Sequence, residues 1–165
     1  MRVINSYHNI PKADRGSAVA IGNFDGVHLG HQSVIDVART AASQAKAPLG
    51  VLTFEPHPRA YFAPQTPAFR LMSPVARQNR LTKLGVEYLY ELPFNDSLAA
   101  LTPEQFAREV ISEGLGLTHV VIGQDFCFGK ARAGTAEDLL HYGEKMGFGI
   151  SIAPLLATKG AQVSS

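Results

Sequence analysis

The chain has 165 residues, of which 45% are hydrophobic and 18% charged, so its composition fits one globular α/β domain and excludes a disordered polypeptide. The formal net charge of +1 gives no electrostatic argument for nucleic acid or an anionic membrane as the main partner. A single cysteine rules out an internal disulfide framework, and the sequence shows no signal-peptide core or membrane-spanning apolar run, so the expected location is cytoplasmic.

Strands and helices are predicted to alternate along the chain. Residues 2–16 form an extended piece and a loop, and the apolar runs that follow predict buried strands joined by amphipathic helices. The predicted strands cover residues 17–21, 49–54, 87–91, 119–122 and 149–153, and helices are predicted to begin near His31, Pro74, Pro103 and Ala136, the last three after the N-cap residues Ser73, Thr102 and Thr135. This alternation predicts an α/β fold with a doubly wound, mostly parallel five-stranded sheet.

A glycine-rich segment joins the first of these strands to the first helix. Gly22, Gly26 and Gly30 allow tight turns and a close approach of the backbone to a ligand. The free N–H groups and the positive dipole end of the helix suit a polyphosphate, and His28 and His31 could donate hydrogen bonds to phosphoryl oxygens there. The pattern indicates phosphoryl or nucleotidyl transfer; a partial metal site or merely polar loop residues are the alternatives.

Two further segments are predicted to leave the same edge of the sheet. After the second strand, His57 and Arg59 could meet a phosphate or belong to a proline-stiffened loop whose arginine is solvated. After the fourth strand, Asp125 offers a carboxylate, and Phe126 and Phe128 offer aromatic surface for a flat heterocycle, although this alternation favours core packing for one of the two rings.

Charged and thiol side chains of the third segment have less specific interpretations. Lys130 and Arg132 could balance phosphate charge or be solvated. Cys127 has no evident base partner and is interpreted as a small apolar packing residue.

These segments resemble the motifs of one enzyme family. His28-Leu29-Gly30-His31 resembles the HxGH signature of nucleotidyltransferases, and the longer string over residues 22–31 is similar to the FMN adenylyltransferase module of bacterial bifunctional riboflavin kinase/FAD synthetases. Residues 53–59 and 123–134 resemble its second and third motifs, so the resemblance covers essentially the whole chain. It implies a Rossmann-like HxGH nucleotidyltransferase fold.

The resemblance implies transfer of AMP from MgATP to the phosphate of FMN, which gives FAD and pyrophosphate. Mg²⁺ would be held largely by the triphosphate, with no metal ligands expected from the chain. The implied catalytic residues are His28 and His31, and the implied ATP-binding residues are Gly22, Asn23, Phe24, Asp25, Gly26, His28, Gly30, His31, Ser164 and Ser165. The implied flavin-binding residues are Pro56, His57, Pro58, Arg59, Phe62, Asp125, Phe126, Phe128 and Arg132.

The sequence departs from the family pattern at its end. The family's fourth motif, Ser-Ser-Thr followed by any residue, Ile or a similar apolar residue, and Arg, stops here at Ser164 and Ser165, and no riboflavin kinase module follows, although one is expected in the full-length protein. Residues 1–165 are therefore expected to fold as one nucleotidyltransferase domain that binds its ligands better than it turns them over. A binding fragment without activity, or an adenylyl- or cytidylyltransferase with another phosphate acceptor, are the alternatives.

Overall fold

A parallel sheet forms the centre of the computed structural model, which describes residues 1–22, 29–55, 73–153, 157–158 and 161–162. Within these residues the sheet has six strands in the order β1-β4-β3-β2-β5-β6, and all neighbouring strands are parallel. The strands are β1 (Arg2–Ile4), β2 (Ala18–Ile21), β3 (Leu49–Glu55), β4 (Tyr88–Pro93), β5 (His119–Gly123) and β6 (Gly149–Ala153). Two short antiparallel strands, β7 (Ala157–Thr158) and β8 (Ala161–Gln162), form a separate pair.

The predicted doubly wound class is confirmed, but the predicted count of five strands is wrong. The additional strand is β1, which lies at the sheet edge with Arg2 opposite Tyr88 and Ile4 opposite Tyr90. Its three residues are too few to show an apolar alternation, and its partner strand is distant in sequence. Pairing with β4, and not local sequence, makes this segment a strand.

Helices begin where the capping residues predict. The Ser73 hydroxyl accepts a hydrogen bond from Ala76 N, and Thr102 and Thr135 each form a capping box. The helices are α1 (Leu29–Ala45), α2 (Pro74–Lys83), α3 (Asp96–Ala99), α4 (Pro103–Gln105), which continues as a π-helix over Phe106–Ser112, and α5 (Ala136–Met146). Short 3₁₀ turns cover Lys12–Asp14 and Lys130–Arg132. In the described part of the chain, no helix has the length and apolar character needed to cross a membrane.

The helices cover both faces of the sheet. On one face, α1 and α2 bury apolar side chains against alternate residues of the central strands, and the buried cluster includes Val34, Ile35, Ala38, Leu81, Ala18, Ala20 and Val121. On the other face, the π-helix and α5 do the same, with Phe106, Val110, Ile111 and Leu139 in one cluster with Val19, Ile21 and Leu52. This two-sided burial explains why the strands are near-continuous apolar runs.

The turn that ends the π-helix requires a glycine. Glu113 N donates to the carbonyl oxygen of Arg108, and Leu115 N donates to that of Val110, both at 2.8 Å and five residues back. A Cβ atom at Gly114 would lie 2.3 Å from the carbonyl oxygen of Glu109. The widened turn therefore leaves no room for a side chain at this position.

His119, at the start of β5, is expected to make stability depend on pH. Its Nε2 lies 2.7 Å from Ser151 Oγ, and burial lowers its pKa from the ordinary value of 6.5. The unfolded chain takes up the proton first as pH falls, so the stability that neutral His119 contributes is present above about pH 6.5 and is lost below it. When the pH is lowered from 7 to 5, the free energy of unfolding in urea should fall less for His119→Gln than for the unaltered chain. Equal decreases in the two chains would contradict this assignment.

Candidate active site

The strand order creates a crevice at the carboxyl edge of the sheet. From β2, the chain passes to β3 on one side and later to β5 on the other, which makes a topological switch point between β2 and β5. Ligands of open α/β sheets bind outside the carboxyl ends of the strands at such a point. The strands that end at Ile21, Glu55 and Gly123 are neighbours, so the three motif-bearing segments leave one edge, as predicted.

The first segment enters α1 at this switch point. Gly22 N donates to the carbonyl oxygen of Leu52 at 3.1 Å, which extends the pairing of β2 with β3 by one residue. Helix α1 begins at Leu29, two residues before the predicted start, so Gly30 and His31 belong to its first turn. The helix N-terminus therefore supplies N–H groups and a positive dipole end at the carboxyl edge of β2.

The third segment is closed by a backbone pair. Phe128 N donates to the carbonyl oxygen of Gly134 at 3.1 Å, and Gly134 N donates to that of Phe128 at 2.9 Å. A Cβ atom at Gly134 would lie 2.8 Å from the Phe128 ring, so glycine is required there. Between these residues, Ala131 and Arg132 adopt left-handed backbone conformations with φ of 58° and 56°. Two such non-glycine residues store local strain, which is common at functional sites.

The two phenylalanines of this segment differ in exposure. Phe128 is only 5% exposed, and its ring centroid lies 5.6 Å from that of Phe106 in the core. Phe126 is partly buried and stacks on Phe128 with centroids 5.7 Å apart and ring planes 15° apart. The packing role predicted for one ring of the pair therefore falls to Phe128, while the ring of Phe126 stays partly exposed.

Polar side chains of the third segment remain accessible. Asp125, Lys130 and Arg132 are all exposed, as their predicted roles toward a ligand require. Cys127 is also exposed, with its Sγ 3.6 Å from the carbonyl oxygen of Asp125. The prediction that Cys127 packs as a small apolar residue is wrong, because the alternation of the segment turns Phe126 and Phe128 toward the core and Cys127 away from it.

Sequence reasoning missed a cluster of three charged side chains at this edge. Arg77 Nη2, from α2, lies 3.1 Å from Glu55 Oε2 at the end of β3 and 2.9 Å from Glu91 Oε2 in β4. Only 5% of the Arg77 side chain and 9% of that of Glu91 are exposed. Glu91, inside the otherwise apolar strand β4, was a signal in the sequence that a charged partner packs against this strand, because buried carboxylates need a partner.

Several predicted site residues lie outside the residues that the structure describes, as does the side chain of His31. For these the sequence prediction stands alone. They are Asn23, Phe24, Asp25, Gly26 and His28 in the first segment, Pro56, His57, Pro58, Arg59 and Phe62 in the second, and Ser164 and Ser165 at the end. Among the described residues, no group of three or more His, Cys, Asp or Glu side chains could hold a metal ion.

Fold and site together define a class of protein. A doubly wound parallel sheet whose glycine-rich segment enters a helix at the switch point is a Rossmann-like nucleotide-binding architecture. The sequence model of FAD synthetase matches residues 10–165. The chain belongs to the FAD synthetase family.

Individual relatives agree with this assignment. The chain is 37% identical to the bifunctional riboflavin kinase/FMN adenylyltransferase of Pseudomonas fluorescens over 166 residues, which are 100% of this chain and 53% of the relative. The proteins of the same name from Bacillus subtilis and Escherichia coli K12 are 37% and 31% identical, over 84% and 100% of this chain and 44% and 53% of theirs. The chain thus spans about half the length of the curated relatives it matches.

A solved structure shows the same fold. A crystal structure described as a macrolide-efflux protein from Streptococcus pneumoniae superimposes with a TM-score of 0.85 at 32% identity. The match covers 99% of this chain and 54% of that one. The agreement extends the similarity from sequence to the arrangement of the strands.

Proposed function

We propose that residues 1–165 form one FMN adenylyltransferase domain, which moves AMP from MgATP to the phosphate of FMN and releases FAD and pyrophosphate. The observation that carries this proposal is the family match over residues 10–165, in a fold whose described strand ends bring the three motif-bearing segments to one edge. Formation of FAD from ATP, Mg²⁺ and FMN, followed by mass analysis of the products, tests it.

The proposed reaction is a direct in-line displacement. A phosphate oxygen of FMN attacks the α-phosphorus of ATP and forms the new P–O bond, while the bond from that phosphorus to the bridging oxygen breaks and pyrophosphate leaves with the electron pair. The attacking phosphate is already ionised near neutral pH, so positioning and charge stabilisation contribute more than base catalysis. We assign this stabilisation to His28, His31 and the N–H groups at the start of α1.

We treat Mg²⁺ as part of the ATP substrate. The described residues offer no ligand cluster, whereas Mg²⁺ takes phosphate oxygens readily as ligands. The ion would neutralise charge on the triphosphate, and no step is assigned to a metal held by the chain.

The flavin side of the site is assigned to the second and third segments. Phe126 offers accessible ring surface, Asp125 offers an exposed carboxylate for the polar edge of the isoalloxazine, and Arg132 offers positive charge for the FMN phosphate. Pro56 to Arg59 and Phe62, in the second segment, are also assigned to flavin binding, as the sequence predicts. Phe128 then supports Phe126 from beneath.

FMN fluorescence is expected to be quenched on binding, and Phe126→Ala or Asp125→Ala should each weaken FMN binding about tenfold, a loss typical of one aromatic or charged anchor. Tyr142→Ala and Asp36→Ala are matched controls, because Tyr142 is partly buried against the same core on α5 and Asp36 is exposed on α1. Titration of FMN against each folded variant gives the affinities. Unchanged FMN affinity in both site variants would show that the flavin side is wrongly placed.

The relatives are named as bifunctional, and this chain matches about half of each. We therefore propose that the complete protein also carries a riboflavin kinase segment, which would supply FMN.

A further inference from the structure

We propose that the junction between α3 and α4, over residues 101–103, is a positioning element for the flavin side of the site. It holds the loop over residues 128–134, which follows Phe126 and contains Arg132, and so determines where these two side chains lie. The inference rests on the proposed function, because the roles of Phe126 and Arg132 toward FMN are part of it. The residues of the junction themselves are assigned no contact with ATP or FMN.

The loop is attached to the junction at two points. Lys130 N donates to the carbonyl oxygen of Leu101 at 2.7 Å. Gly129 packs directly on Pro103, because a Cβ atom at Gly129 would lie 2.8 Å from Pro103 N and 2.9 Å from its Cα. The junction is itself fixed by the capping box that starts α4. Loop and junction therefore form one close-packed unit.

The backbone of the loop needs such support. Ala131 and Arg132 both adopt left-handed conformations, which cost free energy in residues with a Cβ atom and persist only where the surrounding structure holds them. The pair between Phe128 and Gly134 closes the ends of the loop, and the hydrogen bond from Lys130 to the junction fixes its middle. Loss of that bond would allow the two strained residues to relax, which would displace Arg132 directly.

The same support reaches Phe126 through its neighbour in the loop. Phe126 N donates to the carbonyl oxygen of Gly123 at 3.2 Å, which fixes it to the end of β5. Its ring stacks on that of Phe128, whose backbone belongs to the loop. Asp125 and Phe126 thus lie next to two fixed points, the strand end and the supported loop. Because a displacement of about 1 Å at an active site lowers activity strongly, the position of this loop matters for flavin binding.

The exposure of the loop favours a positioning role over a stabilising one. Four consecutive residues, from Lys130 to Ala133, are all exposed. Ordering their backbone costs conformational entropy, and little apolar burial offsets that cost. An ordered conformation of this kind is explained by a ligand that the loop serves, and not by its contribution to the fold.

A comparison of Lys130→Pro with Lys130→Ala tests the hydrogen bond. Arg132 N donates to the carbonyl oxygen of Gly129 at 3.0 Å, so Lys130 is the second residue of a four-residue turn, a position that favours proline. Gly129 has a ψ of 178°, which also permits proline to follow it. Proline therefore keeps the turn but removes the N–H that donates to Leu101.

Both variants lack the ammonium group of Lys130, so the difference between them isolates the N–H group. We expect FMN to bind about tenfold more weakly to Lys130→Pro than to Lys130→Ala, whereas ATP should bind equally to both. Titration of each ligand against each folded variant gives the affinities.

Gly129→Ala tests the packing on Pro103 independently, and Gly85→Ala is its matched control. Both glycines have a positive φ, 79° and 87°, but nothing lies within 4 Å of a Cβ atom added at Gly85. Both substitutions should lower the melting temperature, because alanine is strained at such a φ. Only Gly129→Ala should bind FMN more weakly, by about tenfold, with its ATP affinity retained.

The possible results separate the positioning role from the proposed function. Equal FMN affinity in Lys130→Pro and Lys130→Ala, in a chain that binds FMN when unaltered, would overturn the positioning role and leave the proposed function intact. Parallel losses of FMN and ATP affinity would also overturn it, because they would indicate damage to the whole fold. If the unaltered chain binds no FMN, the proposed function itself fails, and the positioning role fails with it.

Discussion

Alanine at His28 or His31 is expected to lower the rate of FAD formation by about 10²-fold. His28 immediately precedes α1 in the sequence and His31 lies in its first turn, so the proposed site would place both beside a polyphosphate, whose hydrogen bonds would strengthen as charge develops in the transition state. Loss of one such donor costs a rate factor of roughly 10²–10³. The effect is measured as the steady-state rate of FAD formation at saturating ATP and FMN. The assay uses a form of the protein, such as one extended through the fourth motif, that forms FAD at a measurable rate.

The two histidines should affect turnover more than folding or ground-state binding, because only contacts that strengthen in the transition state raise turnover. We therefore expect the melting temperature and the ATP affinity of each variant to stay close to those of the unaltered chain. His8→Ala is a matched control, since this histidine is exposed and lies before β2. Near-normal turnover with both His28 and His31 replaced would remove them from the mechanism.

Arg77→Met is expected to lower the free energy of unfolding by about 3–5 kcal/mol, the scale for removal of one partner from a buried ion pair. The substitution leaves Glu55 and Glu91 as neighbouring carboxylates without the guanidinium that lies 3.1 Å and 2.9 Å from them. Urea unfolding at constant pH measures the loss.

Arg80→Met is the matched control for this stability measurement. Arg80 lies on the same helix but is exposed, so its replacement should change the free energy of unfolding by no more than about 0.5 kcal/mol. A decrease in the free energy of unfolding below about 1 kcal/mol in Arg77→Met would mean that other groups or water stabilise the two carboxylates.

Features set by neighbouring residues could be predicted from the sequence. The caps at Ser73, Thr102 and Thr135 depend on side chains three residues away or fewer, and the apolar runs of the central strands need no knowledge of their partners. The convergence of three segments at one edge followed from these elements and from the rules for parallel sheets.

Features set by distant residues could not be predicted. β1 is a strand only because β4 pairs with it, and the Glu55–Arg77–Glu91 cluster joins three separate elements. The alternation of Phe126 and Phe128 predicted that one ring packs in the core, but only the position of Phe106 decides which one. Local pattern thus predicted which segments leave the same edge of the sheet, whereas tertiary contacts determined how that edge is supported.

The strand order also determines when the site can form during synthesis. Strand β1 can pair only after Tyr88, the partner of Arg2, has been synthesised. Synthesis of the intervening 86 residues takes about 4–17 s at roughly 5–20 residues per second. Once β4 is complete, the strands already made can form the four-stranded partial sheet β1-β4-β3-β2, with one edge of β2 still open. The crevice comes into existence only when β5 leaves the ribosome and docks on that edge, so a nascent chain that stops before His119 has the first motif but no switch point to hold a nucleotide.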